Sequence, residues 1–232
     1  NLTSIMYGGR SDLKFNDTFI ADYPQSIKDR LSFIQKKRPT VLKLGPNEEY
    51  ELKSSTFEAI PYAFKDSVDN PSNYYHILGL QSSKRVWKYV EKKYLSPRYP
   101  ENNNLNKYKV FVPEANGNGI FGEVLTKSEI GHPNDSSVAT FISIGAFNTV
   151  EEAINCATYI KTKFARCLLG ILKITQHTPP AIWAYIPLQN FTAISDIDWT
   201  QSIANIDRQL YKKYHLSEDE INFIENTVKP MD

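Results

Sequence analysis

The chain has little cysteine, with Cys156 and Cys167 the only two among 232 residues. Both fall in one stretch that reads as helix, where eleven residues at about 1.5 Å each set them roughly 16 Å apart, too far for a disulfide. They are expected as small core residues of a reducing compartment. No apolar run approaches the length of a membrane span, and the first residues lack the apolar region of a signal peptide, so a cytoplasmic protein with no membrane partner is expected. Excess charge is missing too: 27 basic and 26 acidic side chains leave a net charge of +1. Any charged partner must therefore be met by a local patch rather than by global steering. There is no repeat and no low-complexity tract. The chain begins at Asn1 rather than Met, which reads as an excised piece of a longer protein or as a removed tag.

What is present can build a core. The chain is 41% hydrophobic, with 14 Tyr, 12 Phe and 3 Trp, and its length suits one large domain or two small ones. A helix is expected over residues 25–36, where Ile27, Leu31 and Ile34 recur at helical spacing and Lys36, Lys37 and Arg38 close it before Pro39. That basic turn suits the helix dipole, or a phosphate. Residues 50–73 are turn-rich. Beyond them, "YYHILGL", "RVWKYV", "YKVFVP", "GEVL" and "VATFISIG" read as short strands of a curved, mostly antiparallel sheet.

The next stretch, "NTVEEAINCATYIKTKFARCLLGILKIT", opens with a Thr149/Glu152 capping box and keeps apolar residues at 3.6-residue spacing from Ala153 to Ile171. One long amphipathic helix is expected, with Lys163, Arg166 and Lys173 clustered within about 80° opposite its apolar stripe. The prolines of "HTPPAIWAYIPL" argue against helix. Two helices end the chain, one over residues 203–214 and one from the Ser217/Glu220 capping box. The pair could mimic a helix-turn-helix, but Glu218, Asp219, Glu220 and Glu225 would repel phosphate, so a packing hairpin is expected. The fold expected is α+β: a twisted, mostly antiparallel sheet packed on one long helix, with a C-terminal helical hairpin. Its segments are 1–70, 71–195 and 196–232.

The string "GNGIFGEV" fits both the dinucleotide and the kinase glycine loops. A dinucleotide loop needs a helix to follow, and strand and turn follow here. The kinase reading needs a lysine on the next strand, H-R-D and D-F-G, and none occurs. "NGNG" is instead expected as a hairpin turn, which would project Asn116 and Asn118 outward; side-chain amides there could meet an adenine edge or serve the turn alone. No P-loop or G-x-S-x-G elbow is present, and His76, His132, His177 and His215 lack metal-ligand spacing. Glu51 and Lys53 make an E-x-K tripeptide that, with Asp29, would hold a metal in a nuclease.

"KYKVFVPEANGNG", "TFISIGAF", "YIKTKFARCLLGILKITQ", "WAYIPLQNFT" and "SDIDWTQSIANIDRQLYKKYHLSEDEINFIE", in that order, resemble the C-terminal part of type II restriction-modification proteins. These are adenine-N6 DNA methyltransferases, some fused to an endonuclease. The resemblance runs from about residue 74 to the end. It implies a target recognition domain for double-stranded DNA, joined in the parent polypeptide to a methyltransferase catalytic domain that binds S-adenosylmethionine. The family's N-P-P-Y catalytic motif is absent, so no catalytic residue, metal or cofactor is expected in this chain, and enzyme activity is expected only of the parent.

Recognition domains vary with their targets, so the DNA-contacting residues are read from physics. Lys163, Arg166 and Lys173 are candidates for phosphates, with Thr175 and Gln176 beyond them for base edges; a solvated helix face is the alternative. In "SSKRVWKYVEKKYL", alternation puts Arg85, Trp87, Tyr89 and Glu91 on one face and Val86, Lys88 and Val90 on the other. Lys84, Arg85 and Lys88 would line a groove, or would guard an exposed strand edge. Arg10, beside two glycines, is a further candidate. Two other function classes stay open: a metal-dependent nuclease, and a module that docks a protein through the C-terminal helices.

Overall fold

The computed structural model describes residues 13–16, 18, 50–98, 103–117, 119–172, 177–183 and 185–231. The helix expected over residues 25–36 lies outside them. In chain order come β1 (Leu13–Phe15), β2 (Tyr50–Glu51), α1 (Thr56–Ala59), β3 (Tyr74–Gln81), β4 (Lys84–Glu91), β5 (Leu95–Pro97) and β6 (Tyr108–Pro113). Then follow β7 (Glu129–Gly131), β8 (Asp135–Ser137), β9 (Phe141–Phe147), α2 (Val150–Tyr159), α3 (Lys163–Leu172), α4 (Pro180–Trp183), α5 (Ile203–Lys213) and α6 (Glu218–Thr227). The protein is α+β, and its sheets are rich in antiparallel pairs. The described residues fall into two compact units, each discontinuous in sequence. A sheet unit takes residues up to 107 and 131–143, and a helical unit takes 108–130 and 144–231.

In the sheet unit, β1 lies between β2 and β5. A second sheet has the order β4-β3-β8, with β3 antiparallel to β4 and parallel to β8. The β3–β4 hairpin closes through Ser82 and Ser83, at φ of 50° and 62°. Two consecutive positive φ values match the twist that a two-residue hairpin needs, and the Ser82 N–H donates to Glu58 Oε1 at 3.1 Å. Side chains alternate from there. Ile77 and Val90 turn inward and are buried, and Gly79 faces the ring of Phe57. Phe57 meets Phe64 edge-on at 4.7 Å between centroids, and Phe64 meets Phe15 at 6.2 Å.

The helical unit holds β6, whose residues Lys109 to Pro113 are all buried, and α2 packs on that strand. The single long helix expected here is two helices, α2 and α3, separated by residues 160–162. The reason is a second cap. Thr162 Oγ1 accepts from the Ala165 N–H at 3.1 Å, and the Asp207 carboxylate accepts from the Lys163 and Phe164 N–H groups at 3.0 and 2.9 Å. Those donors are the ones a helix start leaves unpaired, so a new helix begins. The apolar period runs through the break without marking it. Thr149 caps α2, accepting from the Glu152 N–H at 3.2 Å, and Ser217 and Glu220 form the capping box of α6.

Two further expectations are corrected. "GEVL" is irregular rather than a strand. Prolines did not exclude helix from residues 177–188, because Pro180 opens the short α4, and a first-turn proline costs no hydrogen bond. Among the described residues no helix is long and apolar enough to cross a membrane.

Gly79 gives a test of the sheet packing. A Cβ there would collide with the Phe57 ring, so Gly79→Ala is expected to lower unfolding free energy by about 1–3 kcal/mol, the cost of overpacking a core. Urea denaturation followed by tryptophan fluorescence measures it.

Candidate functional site

The β3–β4 hairpin of the sheet unit carries a column of rings on the face opposite its core. Register sets this column: His76 faces Tyr89, Leu78 faces Trp87 and Tyr74 faces Glu91. The His76 imidazole lies between Trp87 and Tyr89, 4.5 Å from each centroid and inclined by 24° and 18°. Tyr74 closes the column edge-on to Tyr89 at 6.4 Å. All four ring residues are half-buried, whereas Leu78 beneath Trp87 is fully buried. His76 Nδ1 sits 3.4 Å from Asp135 Oδ1, and Asp135 Oδ2 accepts from the His132 N–H at 2.7 Å.

Cations frame the column. Lys65 Nζ donates to the Tyr74 hydroxyl at 2.9 Å and lies 3.8 Å from Glu91. Backbone bonds between Lys65 and Tyr89, at 2.8 and 2.9 Å, cover part of the β4 edge. Residues 84–94 hold five basic side chains, Lys84, Arg85, Lys88, Lys92 and Lys93, against one acidic residue, Glu91. Their states differ. Lys88 is bound to Asp66 at 2.5 Å and Lys93 to Glu91 at 3.3 Å. Lys84 is exposed and pairs with no described acid, Arg85 lies over the Phe141 ring at 5.6 Å, and Lys92 lies over Tyr75 at 5.5 Å. A half-exposed column of rings beside cations suits a flat, aromatic or anionic ligand.

The sequence had placed its leading candidates elsewhere, and the structure redistributes them. Arg166 is buried: Nε donates to the Lys161 carbonyl at 2.9 Å, Nη1 to the Glu123 and Gly122 carbonyls at 3.1 and 3.5 Å, and Nη2 to the Lys229 carbonyl at 2.5 Å. Burial lowers its pKa, while Asp207 and Tyr211 oppose that shift. A guanidinium spent on four carbonyls is not a phosphate contact. Lys163 Nζ is bound to the Glu225 carboxylate at 2.6 Å and its carbonyl at 2.9 Å. Lys173, Thr175, Gln176, Asn118 and Arg10 lie outside the described residues, as does Asp29 of the nuclease reading.

Asn116 is also corrected: it points inward, is buried, and accepts from the Thr126 N–H and hydroxyl at 2.7 and 2.8 Å. The glycine loop wraps a carboxylate rather than a ligand phosphate. The Gly119 N–H donates to Glu123 Oε1 at 3.2 Å, and a side chain at Gly117, φ 72°, would strike Glu123. Of the contact residues read from sequence, Lys84, Arg85 and Lys88 alone are brought together by one described hairpin, with Lys88 neutralised. The sequence reading missed Tyr74, His76, Asp135 and Lys65. Pairing "YYHILGL" with "RVWKYV" around "QSSK" would have set His76 opposite Tyr89; Asp135 joins through a parallel pair that local pattern does not encode. No protein-family model matches the chain, and no similar curated protein or solved structure was found.

Asp207 supplies a pH test. Burial raises its carboxyl from 3.8 to about 6, with backbone bonds from Phe164 and Lys163 pulling the other way. The folded state thus holds this proton more tightly than the unfolded chain, so the group lowers stability as pH rises from about 4 to about 6, by about 2 kcal/mol in all. Chemical denaturation across that window should show the fall, and Asp207→Asn should flatten it.

Proposed function

We propose that this chain recognises duplex DNA in a sequence-specific way, as the target recognition region of an adenine-specific type II restriction-modification methyltransferase. The observation that carries the reading is the β3–β4 hairpin, where a run of five basic residues against one acidic residue accompanies a half-exposed column of rings in a chain of net charge +1. DNA-reading sheets lay strands in a groove, and in this reading the β3–β4 pair of the three-stranded sheet does so, its cations at the turn reaching phosphates and side chains on its outer face meeting base edges. Lys84 and Arg85 take the phosphate role in this reading, and the column takes the base role. Methyl transfer belongs to a catalytic domain elsewhere in the parent, which binds S-adenosylmethionine in the cytoplasm, and this chain has no catalytic residue of its own.

The last two helices serve as a packing hairpin in this reading. A specific observation supports a second task for the helical unit in this reading, docking that catalytic domain. Phe223 of α6 is 54% exposed and touches Phe121 at 5.7 Å, and Ile120 and Ile171 are 60% and 65% exposed. Grouped apolar exposure of this kind marks protein-binding surfaces.

Fluorescence anisotropy on a randomised duplex pool across a salt series tests the DNA reading. Affinity is expected to fall steeply with salt, and a short motif should be enriched among retained duplexes. Lys84→Gln and Arg85→Gln should each weaken binding uniformly across sequences and reduce the salt slope by about 1. Unchanged affinity and slope in both variants would contradict the assignment of this hairpin.

A further inference from the structure

We infer that His76 reads an exocyclic amino group, on adenine or cytosine, at one base pair of the target. This inference rests on the DNA reading above and names its base-reading atom. Three observations hold the imidazole in place. Trp87 and Tyr89 cover its two faces at 4.5 Å, Asp135 stands 3.4 Å from Nδ1, and Asp135 is itself anchored by the His132 N–H at 2.7 Å. The ring has little freedom to turn. Its one remaining polar atom is Nε2, which bonds to no described residue, and the side chain is 30% exposed.

The chemistry follows from the carboxylate. A carboxylate beside Nδ1 keeps the ring proton on that nitrogen and leaves Nε2 with its lone pair outward. A fixed acceptor selects a donor. In the major groove, adenine N6 and cytosine N4 present donors, while guanine O6 and thymine O4 present acceptors that a lone pair repels. Phosphate oxygens are acceptors as well and are excluded on the same ground. A metal ion would need companion ligands, and among the described residues no group of three or more His, Cys, Asp or Glu side chains could hold one. Asp135 is therefore a positioning residue, acting through His76.

The experiment uses the 232-residue chain and duplexes carrying the motif it enriches. In the wild-type protein, replacing one adenine by purine, or one cytosine by its analogue without the amino group, should weaken binding roughly tenfold at one position, within the range of a base mismatch. His76→Ala should keep the salt slope and lose that discrimination. Asp135→Asn should reverse it: the amide donates to Nδ1, the ring proton moves to Nε2, and guanine or thymine becomes preferred there.

If amine deletion costs less than twofold at every position, the inference fails while the DNA reading stands. It fails likewise if Asp135→Asn, with an unchanged thermal melt, keeps the wild-type preference. A chain that binds no duplex at low salt overturns both. The amine-deletion arm needs no variant, so misfolding of His76→Ala leaves the test intact.

Discussion

The register of the β3–β4 hairpin is the constraint on which the candidate site depends. Two consecutive serines at positive φ fix the turn, and the turn fixes which residue faces which across eight pairs. A slip of one residue would send every side chain of the slipped strand to the other face. Trp87 and Tyr89 would then enter the core while Val90 left it. The register is held from the core side by Phe57 against Gly79 and from the edge by Lys65 bonded to Tyr89. The same alternation that fills the core thus aligns three rings and positions one imidazole nitrogen.

The helical unit uses its polar residues for a different purpose. Asp207 caps the start of α3, Arg166 gathers carbonyls from three separate segments, and Lys163 ties α3 to α6 through Glu225. Buried polar groups must be bonded, and each of these resolves backbone groups that irregular chain would leave unpaired. Tyr211 adds a bond from its hydroxyl to Glu225 at 2.9 Å. Charges that look free on a helical wheel are consumed by chain that lies far off in sequence.

That contrast explains what was legible. Strands β3, β4 and β6, the caps at Thr149 and Ser217, and the helix from residue 203 follow from local chemistry, since alternation, capping and helical period each concern neighbours in sequence. The break between α2 and α3 depends on Asp207, more than forty residues away. The burial of Arg166 depends on carbonyls at Glu123 and Lys229, and Asn116 turned inward because Thr126 returns beside it. A face defined by helical angle alone could not register those partners. The rings of the β3–β4 column were half legible: Trp87 and Tyr89 were placed on one face, but His76 joins them only through cross-strand pairing.

The central claim is that the outer face of the β3–β4 hairpin is the surface that meets DNA. Photo-crosslinking to an iodouracil-substituted duplex, followed by peptide mapping, tests it most directly, because the excited base reacts with aromatic side chains in contact. The account predicts adducts on Tyr74, His76, Trp87 or Tyr89. Adducts confined to residues of the helical unit, with none on β3 or β4, would contradict it.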